Sequence, residues 1–148
     1  MKKIWSLFSE DEKFFAAGGE GENAVDDGPG SFGVDNAEGL TFQLMVPAEQ
    51  IANIQEAASL MHAMNTNTFT GASFRLKDTG KAESFASAVR DAVQNNQWMC
   101  GYPDRLLIAQ IGGEYIVSAF GKEPMSNFEA KLKQAYPNAK ILYNEAVG

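Results

Sequence analysis

The apolar positions of this chain fall into two regimes. Beyond Leu40 they recur with the periods of strands and helices; before it they thin out among Gly, Asp, Glu and Asn. The clearest pattern is Arg105 to Gly121, RLLIAQIGGEYIVSAFG. It predicts two strands joined at Gly112-Gly113, because the favoured two-residue hairpin turns need positive φ, which glycine takes without steric cost. Leu106, Ile108, Ile116, Val117 and Phe120 are branched or aromatic and suit a buried pleated surface. This hairpin is the expected centre of the core.

The other elements follow from the same reading. Phe42, Leu44 and Val46 alternate with Gln43 and Met45, which predicts a first strand. Pro47 then opens a helix at a position where its missing N–H costs little. Ile51, Ile54, Ala58, Met61 and Met64 would give that helix one apolar face. A second strand runs from Phe69 to Lys77, and a second helix from about Lys81 to Asn96 with Phe85, Val89 and Val93 in its stripe. After the hairpin, Phe128, Leu132 and Tyr136 mark a third helix. Ser126 is its expected N-cap, with Glu129 completing a capping box. Ile141-Leu142-Tyr143 is the last strand.

The order is βα followed by βαββαβ. It predicts an α+β fold: a ferredoxin-like sandwich whose helices cover one face of an antiparallel sheet, with an extra N-terminal strand and helix at an edge. A different α/β sandwich built from the same elements is the alternative. Residues 1–40 read as a flexible segment or linker and 41–148 as a single domain. The first eight residues open like a secretory signal, but Ser9-Glu10-Asp11-Glu12-Lys13 interrupts the apolar run such a signal needs. A short amphipathic helix with Ile4, Leu7 and Phe8 on one face is the competing reading.

Charge and composition narrow the function classes. A net charge of -7 with scattered basic residues disfavours nucleic acid. No apolar run approaches the roughly 20 residues that cross a bilayer. The single cysteine, Cys100, excludes an intramolecular disulfide and a multi-cysteine zinc site. It could serve as a nucleophile with His62 as base, or simply pack as a small hydrophobe. Met61, His62 and Met64 are residue types that suit copper(I). The helical stripe instead turns the methionines inward and His62 outward, so no cofactor or metal is expected. The acidic pairs near Asp26 and Asp35 do not have the spacing of an EF-hand loop. The aromatic connection Trp98 to Pro103 offers Trp98 and Tyr102 as an interaction surface, since such residues are enriched at binding hot spots. Trp98 capping the core is the competing reading.

Met64-Asn65-Thr66, Lys77-Asp78 after a strand, a helix ending near Gln97, Tyr102-Pro103, and Gly113-Glu114-Tyr115-Ile116-Val117 carry a likeness over a little more than half of the chain. In these residues the chain resembles short cell-envelope lipoproteins of clostridial gut bacteria, a family without assigned function. The resemblance implies an exported, lipid-anchored protein. Those lipoproteins carry the lipid on a cysteine after an apolar signal. Here Ala16-Ala17-Gly18-Gly19 stands at that place. Localisation is expected at the cell envelope if the resemblance holds, and in the cytoplasm otherwise. The expected function is a small non-enzymatic binding or interaction module, its partner a protein or a small ligand, with a homodimer through the open sheet face. The alternative is a small enzyme or ligand-binding protein with a pocket between helices and sheet.

Overall fold

A computed structural model describes residues 1–63, 69–96, 98 and 103–147. Met64, Asn65, Thr66, Gln97, Cys100 and Tyr102, named above, lie outside the described residues. The fold is α+β, built on an eight-stranded antiparallel sheet. The chain order is α1 (Lys2–Ser6), β1 (Ala16–Gly18), β2 (Val25–Asp26), β3 (Gly30–Phe32), α2 (Ala37–Phe42), β4 (Ile54–His62), β5 (Thr70–Leu76), α3 (Ala82–Asn95), β6 (Arg105–Ile111), β7 (Tyr115–Gly121), α4 (Pro124–Ala135) and β8 (Lys140–Ala146). The strands lie in the order β2-β1-β4-β5-β7-β6-β8, with β3 also paired to β4.

The β6–β7 hairpin turns at Gly112 and Gly113, whose φ angles are 62° and 83°. Its alternate residues enter two different cores. Leu106, Ile108, Ile116 and Phe120 pack under α3 with Phe74, Phe85 and Val89. Leu107, Ala109, Val117 and Ala119 pack under α4 and α1 with Phe69, Phe128 and Leu132. The helices therefore cover both faces of the sheet, and the one-face ferredoxin-like arrangement is not the one found. The reason lies at the edges. β4 pairs along β5 from Ile54↔Leu76 to Met61↔Thr70, so the place beside β5 is taken. β8 pairs instead with the free side of β6. The crossovers β5-α3-β6 and β7-α4-β8 then step across the sheet in the same direction while running antiparallel to each other. Right-handed crossovers of that kind must place their helices on opposite faces.

Three local expectations change. The stretch after Pro47 is a 3-10 turn, Ala48–Asn53, followed by β4, and not a helix. β4 is paired on both sides, by β5 on one and by β1 and β3 on the other. Those ladders override the helix propensity of Ala57 and Ala58. Residues 41–46 do not form a strand: Asn36 caps α2 by accepting the Gly39 N–H at 3.0 Å. Met45 then takes φ 63°, which ends any alternation. α4 begins at Pro124, ahead of Ser126. Proline suits the first helical turn, and Glu129 turns to Arg105 at 2.7 Å and not to a cap.

Where composition predicts a linker, residues 1–40 carry α1, three short strands and most of α2. Ile4, Trp5 and Phe8 are buried in the α4-side core. The Trp5 indole N–H donates to the Asp27 carbonyl at 2.9 Å, and the Gly19 N–H donates to the buried Ser59 hydroxyl at 2.9 Å. Trp5→Ala should therefore cost about 3–5 kcal/mol of unfolding free energy, measured by urea denaturation; an undocked tail would give no change. Ser118 Oγ is buried without a hydrogen-bond partner among the described residues. Ser118→Ala should raise stability by about 1 kcal/mol by removing that desolvated hydroxyl.

Candidate functional site

The layer of α1 and α4 does not reach the end of the sheet at the β6–β7 turn. α1 has only five residues, and α4 stops at Ala135 before Tyr136 and Pro137. Past that limit the sheet is open on this face. Ser73 and Val117, which are cross-strand partners, form a floor. Met1, Ile111, Tyr115 and Tyr136 stand around it, with Gly112 and Glu114 at the rim, enclosing a cleft of about 430 Å³. The size is within the range of small-molecule sites, and so is the mix of apolar walls with a few polar groups.

Charged side chains hold these walls. Arg75 bonds Glu56 at 3.0 Å and Glu114 at 3.3 Å, and its guanidinium lies 6.0 Å from the Tyr115 ring centroid. The hydrogen bond to Glu56, then the Glu114 charge, raise its pKa above the ordinary arginine value. Lys3 Nζ lies 4.9 Å from the Tyr136 ring centroid. Glu114 is thus held in place by Arg75, whereas the Ser73 hydroxyl makes no hydrogen bond among the described residues. That hydroxyl is the polar group the floor leaves to meet a guest, with the Tyr115 and Tyr136 hydroxyls in the walls.

A second cleft, of about 350 Å³, lies at the other end of α4, between Asp11–Phe14, His62 and the residues Glu123, Pro124 and Asn127. The His62 ring stacks on Phe14, centroids 5.2 Å apart and planes 10° from parallel. Phe14 continues into an aromatic cluster with Trp5, Phe8 and Phe69. Glu12 pairs with Lys131 at 3.1 Å and closes this side.

The residues singled out from sequence are dispersed. His62 and Met61 are neighbours on β4, so their side chains point to opposite faces and do not form a joint thioether–imidazole site. No group of three or more His, Cys, Asp or Glu is placed to hold a metal ion among the described residues. Trp98 is half-buried, packs 5.4 Å from Phe120 and donates its indole N–H to the Val93 carbonyl at 3.3 Å. Sequence reasoning missed Ser73, Tyr115 and Tyr136 as one site. Their shared face could be read from the alternation of β5 and β7, but the gap above them depends on where two helices stop.

No helix among the described residues is long and apolar enough to cross a membrane. No family model, curated protein or solved structure matches the chain.

His62 gives a pH prediction. Burial lowers its pKa below 6.5, against a smaller opposing pull from Glu123. The folded state therefore binds protons less readily than the unfolded chain, and stability rises with pH in this window. The contribution should be complete above pH 6.5 and be lost as pH falls from there through the folded-state pKa. An NMR titration of the imidazole should show a midpoint below that of a free histidine, and His62→Gln should remove this part of the pH dependence of urea unfolding.

Proposed function

We propose that this chain is a small non-enzymatic binding module whose ligand sits in the cleft over Ser73 and Val117. The observation that carries this reading is the cleft itself: an apolar, tyrosine-flanked recess over an open patch of sheet, with a hydroxyl in its floor that has no hydrogen-bond partner among the described residues. Rigid β-strands supply the floor, so the site is preformed and little ordering opposes binding. Glu114, tied to Arg75, fits a role in shaping the rim. The ligand class is a small, largely apolar molecule with one group able to hydrogen-bond. The likeness of the second half to cell-envelope lipoproteins supports an envelope setting for this module.

The test is a thermal-shift screen of the full chain against small apolar and aromatic metabolites. A ligand at a hundredfold excess over its Kd adds about 2.7 kcal/mol to the folded state. A saturable shift is expected for the parent chain. Ser73→Phe, which fills the floor, should abolish it. Ser73→Ala should weaken binding about five- to tenfold by removing one hydrogen bond. A shift that survives Ser73→Phe unchanged, or no shift across the panel, would overturn the assignment.

A further inference from the structure

Among the described residues, the sheet ends on one side in the two-residue β2 and on the other in the seven-residue β8, whose outer edge pairs with nothing. Lys140 and Glu145 stand near the two ends of β8, with half-buried Ile141, Leu142 and Tyr143 between them. The Val147 N–H donates to the Asp104 carbonyl at 3.0 Å. Antiparallel ladders alternate, so Tyr143 and Glu145 turn their backbone groups toward β6 and Asn144 turns outward. A register shift opposite Ile108 and Ala109 leaves Leu142 as an extra residue, and Ile141 then also turns outward.

The extra residue changes the side-chain faces as well. In a regular strand residues five apart point to opposite faces. Here Lys140 reaches Glu83 at the start of α3, 3.6 Å away, and Glu145 reaches Arg90 of α3. Both charges lie on the α3 face. Asn144 lies on the other, bonded to Arg105 and Glu129.

We propose that a second copy of this chain pairs antiparallel along β8, about a two-fold axis through the Leu142–Tyr143 bulge. In that register Ile141 and Asn144 of the two copies exchange backbone hydrogen bonds through their outward groups. Lys140 of each copy faces Glu145 of the other on the α3 face. The opposite charges meet twice, and this self-complementarity singles out a second copy over an unrelated strand. Without the bulge the charges would fall on opposite faces and the match would be lost.

Sedimentation equilibrium of the full chain from micromolar to submillimolar concentration tests this. A monomer–dimer equilibrium weakened by salt is expected. Lys140→Glu converts both cross-strand pairs to like charges and should raise the dimer Kd about tenfold or more, with an unchanged thermal midpoint at low concentration. Amide exchange at Ile141 and Asn144 should slow as concentration rises. A chain that stays monomeric throughout overturns the proposal. So does a dimer insensitive to Lys140→Glu whose Ile141 and Asn144 amides gain no protection.

Discussion

The backbone ladder between β4 and β5 is the constraint on which the remaining architecture depends. It closes one edge of β5 over the whole length of both strands. β8 must then find its partner on β6, and crossover handedness divides α3 and α4 between the two faces. Both faces of the β6–β7 hairpin become core. Its near-continuous apolar run, with Leu106-Leu107-Ile108-Ala109 all buried, is the signature of a strand covered on both sides. A sheet covered on one side only would have alternated.

That run was legible in the sequence, and so were β5, α3, β6 and β7, because each is set by local periodicity and turn chemistry. The misreadings share one cause. β4 carries small and helix-compatible residues, and only its two neighbours make it a strand. The segment before it is rich in glycine and acid, the composition of a linker. In the fold this composition has a steric basis: a Cβ on Gly18 would lie 2.4 Å from the Gly28 carbonyl oxygen and 2.5 Å from that of Ser59. Glycine there permits close backbone approach, not freedom. Neither demand leaves a periodic trace.

The clefts were illegible for a related reason. Each forms where a helix ends short of the sheet or beside it, so its outline is set by element lengths and not by a motif. Ser73, Val117 and Tyr115 share a face by simple alternation, yet nothing in their identities distinguishes a floor under a helix from a floor under solvent. From the sequence, His62 reads as a copper(I) ligand beside Met61 and Met64, as a base for Cys100, or as an outward-facing residue. The structure makes it the last ring of an aromatic cluster that fastens the N-terminal segment to β4.

The pairing of β1 and β3 onto β4 also sets an order of assembly. The β6–β7 hairpin closes a two-glycine turn, and the entropy lost in closing it is small. The N-terminal strands reach β4 only across much longer stretches of chain, Ala16 meeting His62 and Gly30 meeting Ser59. Their contacts are rewarded only after that longer closure. The edge they protect on β4 is therefore still bare when that hairpin closes, and during synthesis the segment that covers it emerges first and must wait for its strand.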